Sequence, residues 1–406
     1  MMNSKPKSGL LSHVTVLDIT NFLAGPYGSQ VMADMGARVV KIEPPDGDIT
    51  RTTPPHFLKG ESAYYLSVNR NKESIVLNLK EKEGQALFLE LAKKADIVFE
   101  NYRPGVLERL GIGFEELKKV NPRIVMCSVS GFGQDGPYRD RPAYDIIVQA
   151  ISGGMSMTGE EGGKAVRAGI PLGDLSAGMF GVIGALAALS HVKATGEGKH
   201  IDVSMLDCQV SMLTYQAAYY LMSGEVPGLQ GRGHRSLTTY RAYMCGDGIE
   251  IVVAANSEKM WRSLCEVVGH PELPDDSRFK ARNVRLINRA QLDEILEAAF
   301  LKLRSDDVLT SLEKAEVPSA PINSVDRALA DPQIKHREMV IDLQHQDGDR
   351  LRVVGNPVKV VGSKESNRGF PPHLGADTNQ VIKEMLNATE EQLRDWHERG
   401  IIAGGI

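Results

Sequence analysis

Short apolar runs alternate with longer helical patterns through the first half of the chain. Five runs rich in β-branched residues are each of strand length and separated by longer segments. They are residues 14–20, 37–43, 74–79, 96–100 and 123–129. Residues 81–95 carry apolar side chains at helical spacing, and residues 106–120 do so with a break at Gly111 and Gly113. The alternation predicts an α/β fold with an open, Rossmann-like parallel sheet over residues 10 to about 205.

The pattern changes beyond this point. Residues 204–222 read as helical and lead into a glycine-rich segment, 223–233. Residues 240–253 predict a hairpin turned at 246–248, and charged amphipathic helices follow at 259–268 and 289–304. The tail predicts strands at 339–343 and 351–354, then a capping box from Thr389 to Gln392 that begins a helix ending at Gly400. We therefore expect a second, smaller α+β domain.

A single carboxylate, Asp174, follows a Pro-Leu-Gly turn and precedes a run of small residues that includes Gly178. We expect Asp174 to open a helix, where free backbone amides keep a carboxylate ionised and available as a nucleophile. The alternative is that Asp174 only caps the helix. The small residues would let another backbone approach closely.

The apolar segment near 179–189 is expected to be too short and too glycine-rich to span a bilayer.

The composition and charge of the chain argue against several classes of function. A chain of 406 residues predicts two domains, and a net charge of −5 without a long run of one sign argues against nucleic acid as the main partner. Four scattered cysteines and a polar N-terminal segment predict a cytoplasmic protein without a metal site. The motif Gly131-x-Gly133-x-x-Gly136 runs directly into Pro137, so no helix starts on its glycines. It therefore argues against a nicotinamide dehydrogenase.

Several motifs taken together resemble the class III CoA-transferases, the group of the formyl-CoA and carnitine CoA-transferases. The resemblance covers nearly the whole chain, with landmarks at residues 16–20, 36–43, 71–80, 95–105, 130–133 and 171–174. It implies that Asp174 attacks the donor thioester to form a mixed anhydride. CoA then attacks the aspartyl carbonyl, and the acceptor acid opens the resulting aspartyl-CoA thioester. It also implies acyl-CoA as a substrate, no tightly bound cofactor, and an interlocked homodimer, with a paralogous partner subunit left open.

The residue patterns, together with the connections that the resemblance implies, predict a domain plan. Residues 1–205, completed by 339–406, would form the large CoA-binding domain, and residues 232–325 would form the small domain. Residues 206–231 and 326–338 would connect the two.

CoA is expected along the carboxyl ends of the strands, where open α/β sheets bind ligands. Arginine and lysine suit its phosphates, and Tyr102 is placed to stack on adenine. The alternative for each cation is a solvated surface charge. Oxyanion stabilisation is expected from amides near Gly173 or in the segment 228–233, which would also serve as a lid that excludes water. The matching CoA positions are Phe22, Leu23, Leu77, Asn78, Leu79, Lys80, Asn101, Tyr102, Arg103, Arg109, Arg141 and Tyr144.

The substrates are less defined. The formyl-CoA branch carries histidine and glutamine around the positions of Asn21 and Leu23, which argues against formyl and oxalate substrates here. The later residues Arg232, Arg235 and Arg241 are placed to pair with an extra acceptor carboxylate, as is His234, for which a structural role is the alternative. We therefore expect transfer from a donor such as succinyl-CoA to a dicarboxylic or hydroxydicarboxylic acid.

Two other functions remain open. A 2-methylacyl-CoA racemase of the same fold needs a histidine before an aspartate, but here Tyr144 precedes Asp145. An unperturbed phenol is a poor base at neutral pH, so racemisation is disfavoured. A non-catalytic acyl-CoA-binding subunit would bind the thioester without turnover.

Overall fold

The computed structural model describes residues 9–345, 348–362 and 368–405. The chain divides into two compact units. The first contains Met1–Gly154, Arg167–Ala217 and His336–Ile406, and the second contains Met155–Val166 and Ala218–Lys335. Each unit has a hydrophobic core of its own.

The N-terminal part of the chain alternates strands and helices, as its apolar pattern predicts. In chain order the elements are β1 Thr15–Ile19, α1 Ala24–Asp34, β2 Arg38–Glu43, β3 Phe57–Leu58, β4 Glu61–Ser62, α2 Ala63–Val68, β5 Lys72–Leu77, α3 Lys82–Ala92, β6 Ile97–Glu100, α4 Val106–Arg109, α5 Phe114–Val120, β7 Val125–Ser130, α6 Asp145–Ile151, α7 Leu172–Thr195, β8 His200–Ser204, α8 Met205–Met212 and α9 Tyr215–Ser223.

Seven strands form the main sheet of the first unit, in the order β15-β5-β2-β1-β6-β7-β8. All neighbours are parallel except β15 (Ile402–Ala403), which forms one edge of the sheet and pairs antiparallel with β5. The chain builds outward from β1 to one side and then starts again at β6 on the other side. The sheet therefore has a topological switch point between β1 and β6, the place where open α/β sheets hold ligands.

The small residues of α7 bring it against α1. A Cβ atom added at Gly178 would lie 2.6 Å from the carbonyl oxygen of Ala24, and one at Gly28 would lie 2.9 Å from the carbonyl oxygen of Gly178. Only glycine fits at this helix crossing without a shift of backbone. The expected close approach of a second backbone is confirmed, and it fixes α7 against the helix that follows β1.

The expectation that the apolar segment is too short for a bilayer was wrong about length. It lies within α7, whose 24 residues are long and apolar enough to cross a membrane by length and composition alone. A core helix of a soluble protein meets the same criteria. Its residues Ala177, Val182, Ala185 and Ala188 pack in the core of the first unit with strands β6 and β7.

The second unit contains a four-stranded antiparallel sheet in the order β12-β11-β10-β9. Its core includes Trp261, Phe279 and Phe300. The elements are β9 Gly233–His234, β10 Leu237–Met244, β11 Glu250–Ala254, α10 Glu258–Val267, α11 Arg282–Ile287, α12 Arg289–Phe300, α13 Ser305–Lys314, β12 Ser319–Pro321, α14 Val325–Ala330 and α15 Pro332–His336. The predicted hairpin is β10–β11.

The glycine-rich segment packs on Met155–Val166, which the sequence analysis placed in the large domain. The amide of Gln230 donates to the carbonyl of Met157, and the amide of Gly231 donates to that of Gly159. These bonds account for the grouping of this stretch with the second unit.

The C-terminal elements complete the first unit. The hairpin of β13 (Val340–Gln344) and β14 (Arg350–Val354) precedes α16 (Thr378–Leu386) and α17 (Glu390–Glu398). The capping box from Thr389 to Gln392 is confirmed. The main sheet is wider than the apolar runs predict, because β8 and β15 join it at its two edges.

Candidate active site

A cavity of about 710 Å³ lies at the switch point of the main sheet. Its walls include residues that directly follow β1 and β6, and Asp174 at the start of α7. The two loops are joined across the switch point: the amide of Asn21 donates to Oδ1 of Asn101 at 2.8 Å, and Nδ2 of Asn101 donates to the carbonyl of Asn21 at 2.8 Å. β1 and β6 are neighbours in the sheet, and these two hydrogen bonds hold together the loops that follow them.

A buried charge network fixes the loop between β1 and α1. Oδ2 of Asp18 accepts a hydrogen bond from Nζ of Lys72 at 3.0 Å, and the same Nζ also donates to the carbonyl of Pro26. Lys41 donates to the carbonyl of Thr20 at 2.8 Å. Burial alone would raise the pKa of Asp18, but the charges of Lys72 and Lys41 with two hydroxyl hydrogen bonds hold it at about 2. Both ends of the loop are anchored, and the loop presents Phe22 to the cavity with a left-handed φ of 62°.

Asp174 is the third residue of α7, which begins at Leu172 with Pro171 at its N-cap position. The sequence pattern predicts that Asp174 opens this helix. The helix instead begins two residues earlier, and Pro171, not Asp174, occupies its N-cap position. The alternative that Asp174 serves only as a helix cap is therefore also wrong.

A second carboxylate, Asp145, holds the backbone at Asp174. Asp145 is the first residue of α6, and its Oδ1 accepts the amide of Gly173 at 2.7 Å and that of Asp174 at 3.4 Å. The buried Gln149 donates from Nε2 to Oδ2 of Asp145 at 2.6 Å. Its Oε1 accepts the amide of Ala168 at 2.9 Å. Two side chains of α6 therefore position the segment that leads into α7.

Burial and the negative charge of Asp145 raise the pKa of Asp174 to about 7. A position at a helix start predicts that this carboxylate is ionised at neutral pH. That expectation was wrong, because desolvation and a like charge outweigh the favourable helix terminus. Near neutral pH the free protein holds a mixture of the protonated and ionised forms.

Tyr64 lies in the same cavity. Burial and the charge of Asp174 raise the pKa of Tyr64 to about 12. The phenol is therefore protonated over the whole physiological range and can donate a hydrogen bond within the cavity.

Half of the predicted CoA positions line this cavity together with Asp174. These are Phe22, Asn101, Tyr102, Arg103, Arg141 and Tyr144. The rings of Phe22 and Tyr144 meet edge to face, with centroids 6.1 Å apart. The guanidinium of Arg141 stacks over the ring of Tyr138 at 3.7 Å.

The other predicted CoA positions are not among the residues that line the cavity. Leu77 is 1% exposed and belongs to the core, so its side chain is closed to a ligand. Leu23 and Leu79 are partly buried, Asn78 bonds to backbone near the C-terminus, and Lys80 is exposed. Arg109 is also exposed. Its Nη1 lies 3.2 Å from the position that a Cβ atom of Gly105 would take, and Nη2 of Arg139 lies 3.1 Å from the same position. It thus adds positive charge beside a cavity residue.

The basic residues expected to pair with an acceptor carboxylate lie in the second unit and already have partners there. Arg232 pairs with Glu250, and Arg235 pairs with Glu225. Arg241 pairs with Asp293 and Glu297 of α12. They line a separate cavity of about 480 Å³ beside the glycine-rich segment. Nδ1 of His234 accepts the amide of Ser236 at 3.1 Å, which is a structural role.

The amides near Gly173 are not free to stabilise an oxyanion. The amide of Gly173 is bound to Asp145, that of Leu172 donates to the carbonyl of Ile170, and that of Leu175 donates to the carbonyl of Pro171. This part of the oxyanion expectation was wrong. The Asp145 carboxylate and the carbonyls of the turn occupy these donors.

Four residues of the site were missed as functional candidates. Asp145 was visible as the acid that follows Tyr144, and Arg167 as the cation closest before the Pro-Leu-Gly-Asp turn. Tyr64 and Gln149 carry no local signal, because only the tertiary fold brings α2 and α6 to Asp174. Among the described residues, no group of three or more His, Cys, Asp or Glu side chains is placed to hold a metal ion.

These features define an α/β fold in which a half-buried carboxylate lies among arginines in the crevice at the switch point. The model of CoA-transferase family III matches residues 11–378. The human succinyl-CoA:glutarate CoA-transferase is 37% identical over 403 residues, which cover 99% of this chain and 91% of that protein. An acetyl-CoA:oxalate CoA-transferase from Acetobacter aceti is 41% identical over 385 residues, covering 94% and 97%. The crystal structure of a CAIB/BAIF family protein from Brucella suis superimposes with a TM-score of 0.82 at 34% identity, covering 92% of this chain and 98% of that one.

The chain belongs to CoA-transferase family III, and it is an enzyme of that class. The family assignment made from the sequence motifs is confirmed.

Proposed function

We propose that this enzyme transfers CoA from a dicarboxylic acyl-CoA, such as succinyl-CoA, to a dicarboxylic acid such as glutarate, with Asp174 as the covalent nucleophile. The observation that carries the proposal is the position of Asp174: a half-buried carboxylate at the switch point of the sheet, in one cavity with Arg103, Arg141 and Tyr102. The human relative is named for succinyl-CoA and glutarate, which supports the choice of acids.

The chemistry follows from what a carboxylate can do to a thioester. Ionised Asp174 attacks the thioester carbonyl of the donor, the carbon–sulfur bond breaks, and CoA leaves as the thiolate. The product is a mixed anhydride between Asp174 and the donor acid. The thiolate then attacks the aspartyl carbonyl, which releases the donor acid as a carboxylate and leaves an aspartyl-CoA thioester.

The second half-reaction reverses these steps with a new acid. The carboxylate of the acceptor attacks the aspartyl-CoA carbonyl and displaces the thiolate, and the thiolate then attacks the carbonyl of the acceptor. Asp174 leaves as a free carboxylate. No net proton is taken up or released, and the energy of the thioester passes to the new acid.

Cations at the cavity suit the charged part of CoA. Arg103 and Arg141 line the cavity, and Arg109 and Arg139 approach each other at Gly105. Guanidinium groups bind phosphates through forked donors. We assign these residues to the CoA phosphates and Tyr102 to the adenine.

The oligomer is a proposal of the same kind. Helices α6 and α7 expose Ile146, Ile147, Met179, Phe180 and Ile183 to solvent in the single chain. Exposed apolar surface of this extent supports a homodimer that covers it. The interlocked form of that dimer, the paralogous subunit, the glycine-rich lid and the cytoplasmic location stay predictions.

Mass spectrometry of CoA thioesters tests the function. The protein is incubated in heavy water with succinyl-CoA, a 2-methylacyl-CoA and a pool of glutarate, malate, citramalate, mesaconate and oxalate. Oxalate is included because Asn21 and Leu23 argue against it while a relative is named for it. A new thioester of one of these acids is the expected result. Deuterium in the 2-methylacyl-CoA without a new thioester would establish the racemase instead, and binding without either product would favour the acyl-CoA-binding subunit.

Intact-protein mass spectrometry tests the nucleophile. After incubation with succinyl-CoA alone, the wild type should gain the mass of a CoA thioester at Asp174, and Asp174→Asn should gain none. Asp174→Ala, in which Asp145 is unchanged, serves to locate the label. An adduct that persists in this variant would assign the nucleophile to another residue. Turnover should fall by at least about 10³-fold in either Asp174 variant, because the covalent route is lost.

A further inference from the structure

Four arginines line the cavity around Asp174: Arg103, Arg139, Arg141 and Arg167. Three of them are accounted for. Arg139 donates to the carbonyl of Gln134 and pairs with Asp140, and Arg141 stacks on Tyr138. Arg103 directly follows Tyr102 at the edge of the sheet, where the CoA phosphates are placed.

Arg167 differs from these in its partners. Its Nη1 donates to the carbonyl of the adjacent Ala168 at 3.2 Å, and it forms no ion pair with a carboxylate within the described part of the chain. The guanidinium is exposed, lines the cavity that holds Asp174, and is used by no step of the proposed reaction. A second carboxylate brought into the cavity would find this cation without an internal competitor.

The fold fixes the backbone of Arg167 relative to the nucleophile. The amide of the next residue, Ala168, donates to Oε1 of Gln149 at 2.9 Å, and Nε2 of the same side chain donates to Asp145 at 2.6 Å. Asp145 in turn accepts the amide of Gly173 at 2.7 Å. Gln149 is 2% exposed, so this frame lies inside the unit. The main chain at Arg167 and that at Asp174 are therefore joined through two side chains of α6 and not only through the loop between them.

A dicarboxylic substrate places an unusual demand on such a cavity. Its reacting carboxylate is consumed at Asp174, but its far carboxylate keeps its charge through every step. Asp145 lies beside Asp174, so a second anion close to this pair is unfavourable unless a cation binds it. Arginine meets this demand best, because its planar fork binds a carboxylate through two parallel hydrogen bonds.

We propose that Arg167 is the residue that selects dicarboxylic acids, by binding the carboxylate of the acid that does not react at Asp174. This inference rests on the proposed function and adds the residue that determines which acids are used. Donor and acceptor acids occupy the same position in turn, so Arg167 binds the far carboxylate of both.

The test compares two acceptors of equal length. Glutarate and pentanoate both have five carbons and differ in the far carboxylate alone. Because the reaction alternates between donor and acceptor, kcat/KM for the acceptor reports only the half-reaction in which that acid attacks. The wild type should prefer glutarate strongly. In Arg167→Gln, kcat/KM for glutarate should fall about 100-fold while that for pentanoate stays within about 3-fold, as expected when one partner of a charge pair is removed.

Two further variants sharpen the result. Arg167→Lys keeps the charge without the fork and should recover part of the preference for glutarate. Arg123→Gln removes an exposed arginine before β7, outside the cavity, and should leave both acceptors unchanged. A parallel loss for glutarate and pentanoate in Arg167→Gln would overturn the assignment, as would a wild type that shows no preference.

A separate readout distinguishes this inference from the function on which it rests. The wild type and Arg167→Gln are incubated with butyryl-CoA, a donor without a far carboxylate, and the CoA adduct on Asp174 is measured. If the wild type forms no adduct with either butyryl-CoA or succinyl-CoA, the proposed function has failed. If both proteins form it and the glutarate-to-pentanoate ratio is the same in both, only the role of Arg167 is wrong.

Discussion

Asp145 Oδ1 accepts the backbone amide of Asp174 at 3.4 Å, which brings two carboxylates of one cavity close together. Burial, with the charge of Asp145, raises the pKa of Asp174 to about 7. Asp145 thus has two opposing effects. It fixes the main chain that carries Asp174, the proposed nucleophile, and its charge reduces the fraction of Asp174 that is ionised.

The first prediction concerns the pH dependence of the reaction. If Asp174 is the nucleophile proposed above, only its ionised form attacks the thioester, so kcat/KM for the donor should rise with pH and level off above about 7. Asp145→Asn removes the like charge and keeps an oxygen that can accept the amide of Gly173. The pKa of Asp174 should then fall, and the rise in kcat/KM should occur at a lower pH than in the wild type. The measurement is the position of this rise, because a general loss of activity would not move it.

A matched control is available on the loop before α6. Asp135 is an exposed carboxylate that does not line the cavity, and Asp135→Asn should leave the pH profile unchanged. An unshifted profile in Asp145→Asn would show that the charge of Asp145 does not act on the nucleophile.

The second prediction concerns stability. The pKa of Asp174 is raised in the folded state from 3.8 to about 7, so the folded protein retains a proton that the unfolded chain releases. Stability should therefore fall as pH rises between these two values and should stay reduced above the upper one. Asp174→Asn removes this effect. The free energy of unfolding of this variant, relative to that of the wild type at the same pH, should be about 2 kcal/mol larger at pH 8 than at pH 5.5.

Urea denaturation at these two pH values measures the difference. Asp135→Asn is again the control, and it should show no pH-dependent gain over the wild type. The same gain at both pH values in Asp174→Asn would mean that the pKa of Asp174 is not raised in the folded state. A loss of stability at pH 8 would mean that the ionised carboxylate stabilises the fold. This stability cost would lie at the proposed nucleophile, and proteins tolerate such costs at residues that serve function.

The sequence predicts the sheet well where apolar, β-branched residues dominate its buried strands. Strands β1, β2, β6 and β7 are continuous buried runs, which is typical of parallel strands covered on both faces. β8 was missed because His200 and Asp202 interrupt its pattern, and β15 because it has only two residues. Both strands depend on the edge that the other strands provide.

The site was predictable only in part, for a related reason. Asn101, Tyr102 and Arg103 follow a strand, and the rule for parallel sheets places them at the ligand crevice. The role of an arginine depends on its partner, and partners come from elsewhere in the chain. Arg241 is neutralised by Asp293 and Glu297, more than 50 residues later, which the local sequence does not reveal. Arg167 stands out only when such pairings are known.

The last prediction concerns the crossing of α1 and α7. In Gly178→Ala the new Cβ would stand 2.6 Å from the carbonyl oxygen of Ala24, so one helix must move. Alanine favours a helix by about 1 kcal/mol over glycine, but overpacking a tight contact costs about 1–3 kcal/mol, so we expect a net loss of stability. The urea midpoint should fall with an unchanged slope. Gly169→Ala is the control, because no atom lies within 4 Å of its new Cβ, and its midpoint should not fall. Since α7 carries Asp174 and α1 follows the loop of Phe22, the shift should also lower kcat, by up to about 100-fold for a displacement near 1 Å. A Gly178→Ala protein as stable and active as Gly169→Ala would mean that the two backbones do not meet at this point.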